Sequence, residues 1–499
     1  MVGLLSLLFD RLFWDRGIGI NLSLFAVAAI LLALSRYGWR KVSVPARWAL
    51  MGTLVSAAMV YVHHSTLAIA ATVIGLSLFG GLVHESELRS TPAAMLQAAI
   101  AFLQAPLRVR AGMAALRGKG AQVGSGWRWT RIAIVPVLVA LVFVQLYRVG
   151  NPRFDLLTAS FFDGFFDLLG ELLTPRLLFV LFGAMISAAL VRRIAPGLIA
   201  RIEGPLKDHM VRIRVGRPQW MAPRGMDPLE RERRAGVVLL ALVNTVLLVV
   251  NLIDISWVWF GFTVPQDFSL KQFVHEGTWA LIWSILLSMV VLLYLFRGNL
   301  NFHPRNGTLK QLAIVWVAQN FILGVSVFLR NWHYISFHGL AYKRIGVIVF
   351  LVLVLIGLIT LYVKVRGRRS FFYLARVNGW AWFVVLIGLT TIEWDTTIVR
   401  YNLRHENPGE IDIDNYLAMS DKVLPLLYAN LDKVEQQMAR HRNNRVRWVD
   451  HLDPAEFRDE LDAKRHRFLL RMEHQQWQER NWADDHTLAA LSEILTEHP

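Results

Sequence analysis

The residues of this sequence most able to do chemistry lie in its second half, where acids and bases recur at the ends of apolar segments. Asn251 and Asp254 stand near the end of one such segment, and His275 and Glu276 open the next. Arg330 and His333 close a third, Lys343 and Arg344 open a fourth, and Glu393 and Asp395 close a fifth, with Arg400 just beyond. If these segments cross a membrane, all of these groups fall at one depth near one surface. A charge inside a span costs roughly 2.5–3.5 kcal/mol near the bilayer centre, so it needs water, headgroups or partners of opposite sign. One reading is a polar pocket in which Asp254, Glu276 and Glu393 offset Lys343 and Arg344, able to bind a headgroup, a proton or a polar solute. The other is a set of helix-end residues that snorkel and pair for structure alone. Asn244, Gln319 and Asn320 lie deeper and are the visible candidates for a path inward. Asp254 discriminates best, because it stands several residues inside its helix end.

Other chemistries find less support. His275, His333 and His338 with Glu276 have the donor types for zinc. No two of them form the His-Glu-x-x-His spacing that puts two ligands on one helix face, so no metal is expected. There is no cysteine, which excludes disulfides, thiol nucleophiles and cysteine-ligated clusters. No Gly-x-Ser-x-Gly elbow frames a nucleophile, and no Gly-x-x-x-x-Gly-Lys-Ser/Thr loop cradles a nucleotide. Gly118–Gly126 lacks the flanking strand of a dinucleotide site and reads as a turn. No catalytic residue and no cofactor is assigned, and an enzyme is the less favoured class.

The elements that must position the polar groups are membrane helices. Apolar residues make up 55% of the 499 positions and charged ones 18%. They come in blocks of roughly 17–25, the length that crosses a bilayer core as a helix. The fold class is all-α: a polytopic helical membrane protein with about ten spans and a small helical soluble C-terminal region. The spans fall at about 18–34, 48–62, 66–83, 132–147, 177–191, 236–262, 277–296, 311–329, 344–363 and 372–392. Residues 1–130 hold three spans and an amphipathic cytoplasmic segment from Thr91 to about Leu116, residues 131–393 the membrane core, and residues 394–499 the tail. Met1–Trp14 and Phe161–Leu173 read as helices lying at the membrane surface.

Net charge is +16 and unevenly spread. Residues 394–499 carry 14 Lys/Arg and 20 Asp/Glu, whereas residues 1–393 carry 39 and 17. The basic residues lie between spans, including Arg212–Arg217 and Arg231–Arg234, so they set orientation and touch anionic lipid rather than nucleic acid. Alternate loops hold 29 and 9 Lys/Arg. By the positive-inside rule both termini and the tail are then non-cytoplasmic. In the tail, Pro425 should kink or split the apolar helix of residues 411–431. Asp453-Pro454-Ala455-Glu456 should open a helix reaching about Trp482, and Asp485 a last one over 486–496.

Several stretches together resemble an uncharacterised bacterial membrane family, domain-of-unknown-function family four-one-seven-three. They are Asn151–Asp155, Phe273–Thr278, Arg297–Phe302, Arg330–Ile335, Gly339–Gly346, Trp394-Asp395, Arg400–Asn402 and Leu417–Leu426 with its Met-Ser-Asp-Lys-Val-Leu-Pro core. The wording is closest to Bacteroidetes-type members, which implies a bacterial inner membrane. The resemblance covers about residues 151–431 and carries over no activity. The expectation is a non-enzymatic membrane component, partner-binding, sensory or regulatory, that works through its polar outer face and the tail. Membrane lipids and an envelope protein at residues 394–499 are its expected partners. The alternatives are a transporter or lipid flippase with a pocket among spans six to ten, and a membrane enzyme on a lipid-linked substrate with Glu276 or Asp395 as base.

Overall fold

The computed structural model describes residues 1–116, 140, 143–144, 153–154, 158, 174–192, 197–212, 228–260, 277–405, 413–441 and 452–497. Among them the regular elements are helices, and one isolated bridge joins His209 to Arg369. The expected span at 132–147 and the helix at 161–173 fall largely or wholly outside the described residues.

The N-terminal bundle comprises α1 (Val2–Phe13), α2 (Ile20–Tyr37), α3 (Val44–His63), α4 (Thr66–His84), α5 (Thr91–Leu116), α6 (Pro175–Val191) and the short α7 (Leu198–Glu203). Ser43 and Ser65 cap α3 and α4 by accepting from Ala46 N and Ala68 N. Between them the chain turns at His64, in the left-handed region at φ 44°, followed by the extended Ser65. The two helices run antiparallel so closely that a Cβ on Gly75 would lie 2.5 Å from Thr53 Oγ1. α1, expected at the membrane surface, is packed into the bundle: Phe9 lies 4.9 Å from Phe179 of α6 and 5.5 Å from Phe25 of α2, ring to ring. α5, expected as an amphipathic cytoplasmic segment, packs its first turns along α4 and α6. Its inward face is built of Ala94, Ala101 and Ala105, all fully buried, and such small residues let helices approach in a membrane.

A second bundle holds α8 (Pro228–Asp254, prolonged by a wide π-helical turn Ile255–Trp259), α9 (Thr278–Leu295), α10 (Gly307–His338) and α11 (Tyr342–Gly367). Its core includes Leu240, Ile285, Leu292, Ala313, Leu358 and Leu361. Helix α12 (Phe371–Thr390) joins the bundles, packing against α11 on one side and against α3, α4 and α5 on the other. Seven of these helices are long and apolar enough to cross a bilayer: α2, α4, α8 with its π-turn, α9, α10, α11 and α12. α3 has 20 residues but is less apolar, and α6 is apolar but has 17 residues. The all-α polytopic fold expected from hydropathy is the fold observed.

The tail comprises α13 (Trp394–Arg404), α14 (Asn415–Ala418), α15 (Leu424–Tyr428), α16 (Leu431–His441), α17 (Pro454–His474) and α18 (Trp482–Glu497). In α13 the buried residues Asp395, Ile398, Val399, Asn402 and Leu403 follow the three-to-four spacing of one helix face. Pro425 does split the chain, standing in the first turn of α15 after a 3₁₀ turn at Asp421–Val423. The capping box at α17 is formed: Asp453 Oδ1 accepts from Ala455 N and Glu456 N at 2.9 Å, and Glu456 Oε2 accepts from Asp453 N at 2.9 Å. α17 ends at His474, earlier than expected, and α18 begins at Trp482 after Asn481, whose Oδ1 accepts from Asp484 N. Asp453→Ala is expected to cost about 1 kcal/mol, read as faster amide hydrogen exchange in the first turn of α17.

The tail is not a free arm. Its core residues Tyr416, Val423, Leu424, Leu427, Phe457 and Phe468 join Ile345 of α11 and Ile398 of α13 in one cluster. The segment before α18 pairs with the start of α2, through Ile20 N to Arg480 O at 2.9 Å and Asn21 N to Gln478 O at 3.1 Å. We term this end of the molecule the tail face, and the end where α3 begins and α4 ends the basic face.

Candidate functional site

Two polar groupings stand near the tail face. The first runs between α8 and α10, which lie parallel with α9 returning between them. Asn244 Nδ2 donates to Leu240 O and Leu312 O, and Gln319 Nε2 donates to Asn244 Oδ1 at 2.8 Å. One rung on, Asn251 Nδ2 donates to Gln319 O at 3.1 Å. Next comes the ion pair of Asp254 with Arg330, through Asp254 Oδ1 and Arg330 Nη2, with both residues buried. The π-turn then brings Trp259 Nε1 to Ser326 Oγ at 2.9 Å and Val258 O to His333 Nε2 at 3.1 Å. A π-turn shifts the helix register by one residue, and such turns gather at functional sites. Asn251 Oδ1, Asp254 Oδ2 and Gln319 Oε1 are buried and accept no hydrogen bond from the described residues. Buried polar groups are ordinarily paired with protein or water, so this ladder has room for further donors.

The second grouping is the junction of α11, α13 and the tail. Tyr342 OH donates to Asp395 Oδ1 at 2.5 Å, and Ser420 N donates to Asp395 Oδ2 at 3.0 Å. Lys422 Nζ pairs with Glu393 Oε1 at 2.8 Å and donates to His63 O at 2.7 Å. Glu393 Oε2 also caps α13 by accepting from Thr396 N at 2.7 Å. Arg344 donates to the carbonyls of His338 and Gly339 and lies over the Tyr334 ring. Gly339, at φ 79°, is pressed against Asn402, where a Cβ would lie 2.6 Å from Oδ1. Around this junction opens a cleft of about 720 Å³. Ile345, Val349, Phe350 and Leu353 of α11 form its apolar wall, while Tyr342, Glu393, Asp395 and Lys422 form its polar rim.

His64 stands on that rim, its Nε2 2.8 Å from Ile18 O and its Nδ1 3.9 Å from Asp484 Oδ2. Burial holds its imidazole below the usual 6.5, against the opposing pull of Asp484 and the Ile18 carbonyl, while Arg471 and Lys422 push the same way as burial. The charged form is therefore disfavoured in the folded protein. The stability this gives is present above pH 6.5 and is lost as pH falls through that value toward the lower folded one. Proteolysis of the tail should accelerate from pH 7 to about pH 5, and His64→Gln should flatten that profile.

Residues 22–430 match a family described as Domain of unknown function (DUF4153). The chain belongs to this family. The motif resemblance thus holds at the level of a domain-of-unknown-function family, but the family is DUF4153 rather than four-one-seven-three, and the match does not bear on a Bacteroidetes origin. No curated protein and no solved structure matches the chain. The DUF4153 match takes in both polar groupings up to Lys422 and stops at Asn430. Helices α16, α17 and α18 follow it; α17 supplies Lys464 and Arg471 and α18 supplies Asp484 to the tail side of the junction, where Lys464 and Arg471 both pair with Asp421.

The residues expected to share one pocket are divided. Asn251, Asp254 and Arg330 belong to the α8–α10 ladder, and Glu393 and Asp395 to the junction. Asp254 is offset by Arg330 and Glu393 by Lys422, so neither pairs with Lys343 or Arg344. Lys343 is exposed. His275 and Glu276 lie outside the described residues. Tyr342, Lys422 and His64 were missed as site residues, although Lys422 stands within the Met-Ser-Asp-Lys-Val-Leu-Pro stretch that carried the resemblance. Among the described residues no three His, Asp or Glu side chains gather to hold a metal.

Proposed function

We propose that this integral membrane protein is a binding component of a bacterial inner membrane, with sensory or regulatory output through its tail, and that the tail-face cleft takes an amphiphile. The observation that carries this is the cleft itself: membrane helix α11 supplies its apolar wall and the tail closes its polar rim. An acyl chain would lie along Val349 and Leu353, with its polar head at Lys422, Tyr342 and Asp395. Occupancy would then bear on how the tail sits, and through the tail on an envelope partner. In this reading both termini are non-cytoplasmic, as the distribution of Lys and Arg favours.

The test is lipid extraction and mass spectrometry of the protein purified in mild detergent, beside Val349→Trp, which fills the cleft. The wild type should carry a near-stoichiometric amphiphile that the variant loses. A bare wild type, or equal retention by both, ends this reading. The polar ladder favours a second reading, transport of a proton or small solute along α8 and α10. There Asp254→Asn should abolish in-cell function in a protein that still folds, and full function in that variant would remove transport.

A further inference from the structure

We infer that a groove between α3 and α12 at the basic face is a site for one anionic phospholipid, separate from the tail-face cleft. The groove encloses about 520 Å³ and is walled by Trp48, Met51 and Val55 of α3 and by Trp380, Val384 and Ile387 of α12. Trp48 and Val384 are 64% and 62% exposed, so the groove opens sideways, toward lipid rather than toward the protein core. Its floor is a close helix contact: a Cβ on Gly52 would lie 2.6 Å from the Phe383 ring. This is a slot for a chain, and its end toward the basic face is cationic.

Arg89 and Arg376 close that end. Among the described residues Arg89 Nη2 meets carbonyl oxygens, Leu206 O at 2.6 Å and Glu203 O at 3.4 Å, and the guanidinium lies over the Phe372 ring. The nearby Glu203 carboxylate is taken up by the backbone N–H groups of Arg89 and Ser90 and by the Ser90 hydroxyl. Arg376 pairs with Asp208 at 2.7 Å. Two carboxylates, Asp208 and Glu203, thus stand near the two guanidinium groups, but among the described residues only Asp208 pairs with a guanidinium, so Arg89 presents a guanidinium bonded to neutral carbonyls at the mouth of an apolar slot. A single phosphodiester supplies the matching charge and acceptor oxygens, and arginine suits phosphate by geometry. Trp48 and Trp380, the latter donating Nε1 to Arg89 O at 2.9 Å, place indoles beside the charged end as membrane-interface tryptophans do.

The experiment reconstitutes the full chain in nanodiscs of equimolar phosphatidylglycerol and phosphatidylcholine, then counts lipids retained on release by native mass spectrometry. The wild type should keep phosphatidylglycerol over phosphatidylcholine by about tenfold, the scale of one charge-assisted contact. Arg89→Gln should reduce that preference toward equality, while Val384→Trp should expel the lipid of either kind. Val384 points out of the fold, so its variant tests the groove even if the arginine variant fails to fold. Equal retention of the two lipids by the wild type, a preference unchanged in Val384→Trp, or a dimer whose second copy fills the groove would each overturn the assignment. Loss of lipid from Val349→Trp alone would bear on the tail-face cleft and leave this groove untouched.

Discussion

Arg330→Leu is expected to destabilise the protein by about 3–5 kcal/mol, because it leaves the Asp254 carboxylate buried and uncompensated. The pair is held between two membrane helices, with both side chains less than a tenth exposed, so water cannot take over the role of the lost partner. Asp254→Leu should cost a similar amount for the reverse reason. The double variant Asp254→Leu/Arg330→Leu should recover most of the loss, since two apolar side chains of similar length fill the gap without a charge. Thermal unfolding of the four proteins in one detergent gives the cycle. If the single variants unfold within a degree or two of the wild type, the ion pair is not a stability element. The double variant also separates structure from function. A folded double variant that fails to complement a deletion strain would mean that the pair does chemistry beyond holding α8 to α10.

Gly19→Ala should undock the tail from the membrane helices. A Cβ at this position would lie 2.2 Å from the Glu479 carbonyl oxygen and 2.3 Å from its carbon. Backbone atoms cannot rotate aside as a side chain can. The clash falls within the strand-like contact where Ile20 N and Asn21 N donate to the chain just before α18, so relief requires that contact to open. We expect a loss of about 1–3 kcal/mol, the usual cost of overpacking, and tryptic cleavage near Arg480 at a rate well above the wild type. Gly3→Ala is the matched control, because open space surrounds that position. Equal cleavage of the two variants would show that the tail is anchored elsewhere, through Lys422 or the α13 face.

Much of the fold was legible from local pattern. The apolar lengths identified membrane helices, Asp453 and Glu456 announced the start of α17, and Pro425 marked a break. Each of these depends on groups within one helical turn or one bilayer thickness, which spacing along the chain reports directly. Amphipathic spacing in α1 and α5 does not say whether the apolar face meets lipid or other helices, so the packing of both against α6 was not legible from it. In α5 the deciding feature was the alanine face against Gly81, a matter of how closely two helices approach.

The candidate site was legible only as a list of residues. That Asn251, Asp254 and Arg330 are expensive to bury, and so need partners, followed from their type and position in apolar segments. Which partner each takes did not. Asp254 and Arg330 are 76 residues apart, and Lys422 reaches back 359 residues to the His63 carbonyl. Pairings at such separations are set by which helix faces meet and in what register. The sequence by itself determined that this is a helical membrane protein with costly polar groups near one end. Only the tertiary structure decided that these groups fall into two polar groupings rather than one, because helix packing chooses partners across the bundle and hydropathy sees one helix at a time.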